Sequence, residues 1–249
     1  RHIEVVPPSW RRDLSREIDL VEEVARIHGY EAIPEDARVP MAPSGRSDFD
    51  RVLGKIRQVL TASGFDEAMT YSAVSQEWSN AFSPWSTAEP LRCSTPMLRG
   101  ADLLRRSLVP SLLGARQVNQ SLANPDVELF ETAKIYIPQG KSLPDEEWML
   151  AVTSGREFFT VKGILEELVE TLNPGHRMDV EVTDHPLLQP GSSCRLLLGE
   201  VMCGFLGEVS PAGQKRFGLR APVTVAELRI STLCDIAELI PQHRALSPY

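Results

Sequence analysis

Cys194-Arg195-Leu196-Leu197-Leu198-Gly199-Glu200-Val201-Met202-Cys203-Gly204-Phe205-Leu206-Gly207-Glu208-Val209 decides the fold. Two β-prone runs, Cys194 to Leu198 and Val201 to Val209, are separated by only Gly199 and Glu200. A two-residue link containing glycine is a hairpin signal, whereas parallel strands need a crossover of about a dozen residues or more. These strands are therefore expected to pair antiparallel. Gly204 and Gly207 inside the second run predict a bulge or a close backbone approach, not a phosphate loop.

Working outward, further strands are expected at Val127 to Ile137, Met149 to Thr153, Val180 to Val182 and Val223 to Ile230. One helix, Phe159 to Leu172, interrupts them. Most consecutive strands lack a helix between them, so the class is α+β with a largely antiparallel sheet and no Rossmann alternation. Upstream, Pro110 fits the first turn of a helix running to Leu122, where its missing N–H costs little. Phe49, Val52, Leu53, Ile56, Val59 and Leu60 mark another helix, stopped near Gly64, and Glu67 to Val74 reads as a strand after it.

The start is different in character. Ile3 to Pro8 reads as a short β-like run, Asp13 to Arg16 as a turn, and Ile18 to Ile27 as an amphipathic helix ended by Gly29. Pro34 to Arg46, with three prolines and a glycine, has linker composition. The expected organisation is a small unit at 1–36, a linker at 37–46 and a main domain at 47–245.

The composition is that of a globular protein: 249 residues, 42% hydrophobic, 24% charged, formal net charge −8. No apolar run is long enough for a membrane helix, and no secretory leader pattern opens the chain. The four cysteines, Cys93, Cys194, Cys203 and Cys234, have no C-x-x-C spacing, which points to reduced thiols and a cytoplasmic setting. An acidic balance argues against bulk electrostatic binding of nucleic acid. Of the 26 basic residues 21 are arginine, which permits specific pairing with carboxylates and phosphates.

One constellation could carry chemistry. Asp19, Glu22 and Glu23 stand at i, i+3 and i+4 on one helix face, and Asp13 in the preceding turn can fold back to join them. An all-oxygen set of this kind suits a hard cation such as magnesium. The same residues read equally as a solvated acidic first turn favoured by the helix macrodipole, with Glu22 paired to Arg26. The five histidines are isolated, and no nucleotide-binding glycine motif is present.

Pro8-Ser9-Trp10-Arg11-Arg12-Asp13, Asp19-Leu20-Val21-Glu22-Glu23-Val24-Ala25-Arg26-Ile27-His28-Gly29-Tyr30, Gly64-Phe65-Asp66-Glu67, Leu104-Arg105-Arg106-Ser107-Leu108-Val109-Pro110-Ser111-Leu112-Leu113, Asp126-Val127-Glu128-Leu129-Phe130-Glu131 and Gly207-Glu208-Val209 occur in this order. Together they resemble the β subunit of bacterial phenylalanyl-tRNA synthetase. Arg12 and His28 depart from the family pattern, where an apolar residue and tyrosine are commoner. The resemblance implies a class II synthetase-like antiparallel sheet flanked by helices, preceded by the end of a small metal-site domain. It implies magnesium held by Asp13, Asp19, Glu22 and Glu23. It further implies a catalytic α subunit as partner in an assembly of two α and two β, with tRNA bound through the full-length assembly, and a central to C-terminal piece of that subunit.

The resemblance also implies that catalysis has been lost from this domain, and the residues agree. Class II adenylation uses an arginine in an F-R-x-E segment and another in a glycine-rich strand-helix motif. Here the first segment reads Phe130-Glu131-Thr132-Ala133-Lys134 and the second Val223 to Ile230, V-T-V-A-E-L-R-I, so Lys134 and Arg229 are the nearest cations. Stabilising the adenylation transition state is mainly electrostatic, and each missing cation removes several kcal/mol of it. No catalytic residue is therefore assigned. The expected role is a non-catalytic β subunit that supports ATP-dependent attachment of phenylalanine to its tRNA by stabilising the α subunit. Helix Phe49 to Leu60 and strand Glu67 to Val74 correspond to the segment that builds class II subunit interfaces. The alternatives are an adenylating domain in its own right and a stand-alone synthetase-like paralogue that binds a small molecule.

Overall fold

The computed structural model describes residues 3–36, 38, 40–41, 44–96, 98–124, 126–140 and 142–240. The chain divides into two compact units, Arg1–Gly45 and Arg46–Tyr249.

In the first unit, α1 (Glu17–His28) follows an irregular stretch with turns and is itself followed by a 3-10 turn at Tyr30–Ala32. Asp19 starts the helix: its carboxylate accepts from the backbone N–H of Ser15 at 3.0 Å and of Arg16 at 2.8 Å. These are donors that a helix N-terminus otherwise leaves unsatisfied. No residue of α1 is buried, and Ile18, Val21, Val24 and Ile27 all stand more than half exposed. Ile3 to Pro8, expected as a strand, has no regular secondary structure and joins no ladder. The described residues of this unit offer it no second strand to bond with.

The second unit opens with α2 (Asp48–Ala62), where Ser47 Oγ accepts from Asp50 N–H and the Asp50 carboxylate accepts in return from Ser47, a capping box. Then come β1 (Asp66–Glu67), β2 (Ala73–Val74), α3 (Gln76–Ser79), β3 (Leu103–Leu104), α4 (Val109–Ser121), β4 (Leu129–Ile137), β5 (Asp145–Ser154) and α5 (Phe158–Leu172). The chain continues through β6 (Met178–Val182), β7 (Leu188–Leu198), β8 (Val201–Val209), α6 (Pro211–Phe217), β9 (Thr224–Arg229) and α7 (Ile230–Ile236). Seven strands form one sheet in the order β1-β4-β5-β9-β8-β7-β6. Every pairing is antiparallel except β1 with β4, and β2 with β3 makes a separate two-stranded ribbon.

The hairpin stands where the sequence places it, with Leu198 opposite Val201. Gly199 has φ 63°, at the first central position where a type II′ turn needs glycine. A register shift between Leu196 and Leu197 leaves Cys203 as an extra residue, and Gly204 lies directly against β9. A Cβ at Gly204 would stand 2.4 Å from the backbone oxygen of Glu227, so only glycine allows this approach.

Glu67 to Val74 does not form one strand. The segment leaves the sheet after Glu67 because Thr70 turns to β4, donating from its backbone N–H and Oγ1 to Glu131 at 3.1 and 2.6 Å. Ala73 and Val74 then pair with Leu104 and Leu103 instead.

Both faces of the sheet are covered. Val52, Ile56 and Leu60 of α2 pack with Leu165 and Leu168 of α5 and Leu233 of α7 over Phe130, Leu150, Val152 and Leu228. Leu112 and Leu113 of α4, Phe217 of α6 and Phe82 cover Met149, Ala151, Phe205 and Val225 on the other side. Alternate residues of β5 and β9 thus enter different cores, which is why Met149 to Val152 reads as an unbroken apolar run.

Candidate functional site

The second face of the sheet is filled from within. Glu227 sits at the centre of β9 in an otherwise apolar run and is fully buried. Its Oε1 accepts from the backbone N–H of Leu108 at 2.6 Å, and its Oε2 accepts from Ser107 Oγ at 2.9 Å and Trp85 Nε1 at 2.6 Å. Burial pushes this carboxyl up to about 7, against the pull of those three donors. Trp85 packs edge-on against Phe205 with ring centres 5.2 Å apart, and Phe205 in turn packs against Phe82 at 6.2 Å.

A second polar cluster pins the Thr70 turn to β4. Arg105 and Glu131 form an ion pair at 3.1 Å with both side chains almost wholly buried. Arg105 also donates to Thr70 Oγ1 at 2.8 Å and to the Lys134 carbonyl at 3.0 Å. The neighbouring Arg106 donates to the carbonyls of Ser79 and Ala88, holding the loop that carries Trp85. Buried charges need such partners, and of the Arg106 donors Nε is left without one among the described residues.

The two cations nearest the phosphate-clamp positions are already engaged. Lys134 Nζ donates to Glu146 at 2.5 Å and lies 5.9 Å from the Trp148 ring centre. The Arg229 guanidinium lies 4.7 Å from the Trp85 ring centre and 3.3 Å from Glu147. Sequence reasoning missed the roles of Glu227, Trp85, Arg105 and Glu131. A single carboxylate inside an apolar strand, as in Val225-Ala226-Glu227-Leu228, was the signal available for Glu227.

In the first unit the structure separates the four acidic residues into different roles. Arg11 stands between Asp13 and Glu23, 2.6 Å from each carboxylate. Arg26 donates to Glu23 at 2.6 Å as well. The Arg11 guanidinium, with Arg26 adding to it, holds Glu23 down to about 2, and Arg11 likewise lowers Asp13. Asp19 is lowered by the backbone N–H groups it caps. Arg26, expected beside Glu22, pairs with Glu23 instead, and Glu22 has no ion pair among the described residues. Among the described residues no three carboxylate, histidine or cysteine side chains stand together in a way that could hold a metal ion. The Arg11 guanidinium occupies the place between the Asp13 and Glu23 carboxylates.

Comparison with solved structures defines the class first. The chain is similar to the pyrrolysyl tRNA synthetase PylSc of Desulfitobacterium hafniense with a TM-score of 0.58 over 91% of this chain and 77% of that one, at 16% identity. That is a likeness of fold: an antiparallel sheet of the class II synthetase type, flanked by helices. The family follows from sequence models. Residues 33–230 match the phenylalanyl tRNA synthetase beta chain CLM domain, and residues 1–30 match the tRNA synthetase B5 domain. The chain belongs to the phenylalanyl-tRNA synthetase β-chain family.

Its relatives carry the same name. The phenylalanine–tRNA ligase beta subunit of Rhodopirellula baltica is 41% identical over 99% of this chain and 38% of its own length. The beta subunits of Dehalococcoides mccartyi and Geobacillus kaustophilus are 33% and 32% identical over 91% and 92% of this chain, and 30% of theirs. The chain thus spans well under half the length of these relatives. No helix among the described residues is long and apolar enough to cross a membrane.

Proposed function

We propose that this chain acts as the core of a non-catalytic phenylalanine–tRNA ligase β subunit. It holds a catalytic α subunit in an assembly of two α and two β that attaches phenylalanine to its tRNA at the expense of ATP. The observation that carries this reading is the filled sheet face: Trp85 on Glu227, with Lys134 and Arg229 committed to Glu146 and Glu147. A surface for the partner is available on the turn between β1 and β2, where Met69 is 97% and Tyr71 72% exposed. Large apolar side chains grouped in the open favour association. In this reading tRNA binds through the full-length assembly, and the setting is the cytoplasm.

Magnesium enters this reading at Asp13, Asp19, Glu22 and Glu23 only if Arg11 moves aside, so the guanidinium and the metal compete for one place. The test of the function is phenylalanine-dependent ATP–pyrophosphate exchange, measured on this chain with and without the α subunit of the same organism. Exchange by the α-containing complex and none by this chain supports the reading. Exchange by this chain alone overturns it.

A further inference from the structure

Trp85 stands between two oppositely charged side chains of one strand. Glu227 and Arg229 are two residues apart on β9, so they project from the same face of the sheet. The indole lies on both: its Nε1 donates to Glu227, and the Arg229 guanidinium is 4.7 Å from its ring centre. With the ring withdrawn, an acid and a base so placed would pair with each other. Arg229 is loosely enough held for that exchange. Its Nε lies 3.3 Å from Glu147 yet makes no aligned hydrogen bond among the described residues, and its side chain is 37% exposed.

The backbone around Trp85 is anchored independently of Glu227. Arg106 donates to the carbonyls of Ser79, Ser86 and Ala88, on both sides of Trp85 in the chain. Trp85 itself is only half-buried, so rotation about its χ1 is the motion left open.

The surroundings of Glu227 give this motion a direction. Its cross-strand neighbours are Ala151 and Phe205, and from the start of α4 it meets the uncharged Ser107 and Leu108. The charges that face it are Arg105, held by Glu131, and Arg229, shared with Glu147. With the ring in place burial keeps the carboxyl raised to about 7, even against the bond from Trp85; with the ring out, water and Arg229 reach it and its value falls toward 4.5. A group that binds its proton more tightly in the closed form favours the open form once ionised. Each unit between the two values is a factor of ten in the opening constant, up to about 300-fold in all.

We propose that Trp85 is a proton-controlled side-chain switch, closed on protonated Glu227 and swung out to solvent when Glu227 gives up its proton to water and pairs with Arg229. The switch is independent of the subunit reading, because it involves only contacts within this chain.

The test is 19F NMR of the protein labelled with 5-fluorotryptophan, which gives one resonance for each of its four tryptophans. Trp85 is assigned by the signal lost in Trp85→Phe. From pH 5 to pH 9 the Trp85 resonance alone should move, with a midpoint near 7, and its broadening by a soluble paramagnetic probe should rise at least threefold. Glu227→Gln should keep Trp85 closed at every pH. Arg229→Gln, at a partly exposed position, leaves the carboxyl but removes its new partner, and should lower the open population at pH 9 at least threefold. A Trp85 signal constant from pH 5 to pH 9 overturns the proposal. Equal movement in a folded Glu227→Gln or an undiminished opening in Arg229→Gln does the same, as does movement of Trp78 and Trp148 together with Trp85, which would mark general unfolding.

Discussion

Trp85 donates from Nε1 to Glu227 Oε2 across 2.6 Å, although 142 residues separate them in the chain. The bond ties the loop that carries Trp85 to the central strand of the sheet. The carboxyl it reaches is fully buried, so its ionisation is coupled to stability.

Glu227 should make the protein lose stability as the medium turns alkaline. Its value rises from an ordinary 4.5 to about 7 in the fold. A raised carboxyl favours the protonated folded state, so its contribution is complete below about pH 4.5 and is lost as pH rises through about 7. The size is on the order of 3 kcal/mol for a fully buried group. Thermal melts at pH 5 and pH 8 should show a larger fall for the wild type than for Glu227→Gln. Parallel changes in the two proteins would remove Glu227 as the cause.

The Arg105 and Glu131 pair should behave as a unit. Glu131→Ala leaves a buried guanidinium without its counter-charge and should cost about 3–5 kcal/mol. Replacing both together, Arg105→Met with Glu131→Leu, should cost clearly less than the single change. Urea unfolding of the two variants measures this, and a double variant that costs as much as Glu131→Ala or more would show that the two side chains are not coupled.

Glycines that look alike in sequence should differ in effect. Gly204→Ala forces a methyl into the Glu227 backbone oxygen and should destabilise by about 1–3 kcal/mol. Gly163 lies on the exposed side of α5 with nothing within 4 Å of a built Cβ. Gly163→Ala should stabilise by about 0.5–1 kcal/mol, because alanine loses less backbone freedom in a helix. Equal effects would contradict the packing described for β8 on β9.

Arg11 should gate any cation at the first helix. Removing it by Arg11→Gln frees Asp13 and Glu23 from a shared partner, and calorimetry should then detect magnesium binding several-fold tighter than in the wild type. Unchanged affinity would mean that the guanidinium and the metal do not share a place.

Much of the fold was legible because its signals are local. The Gly199 hairpin, Pro110 at the start of α4 and the apolar spacing of α2 each depend on a few neighbouring residues. The signals that failed are those that depend on distant partners. Ile3 to Pro8 has strand composition but no ladder among the described residues of its unit, and Glu67 to Val74 is split by Thr70 bonding to Glu131, 61 residues on. The acidic spacing on α1 was read correctly as one helix face, yet spacing says nothing of Arg11, which folds back 12 residues to claim Glu23. Buried polar centres such as Glu227 are assembled from three separate segments, so no window of sequence displays them.

The most direct measurement is co-purification of this chain with the α subunit of phenylalanine–tRNA ligase from the same organism, for the wild type and for Met69→Glu with Tyr71→Glu. Both residues are exposed, so the double variant should fold. The account predicts a stable complex for the wild type and at least tenfold weaker association for the variant. Separate elution of wild-type chain and α subunit, under conditions where each is folded, would contradict it.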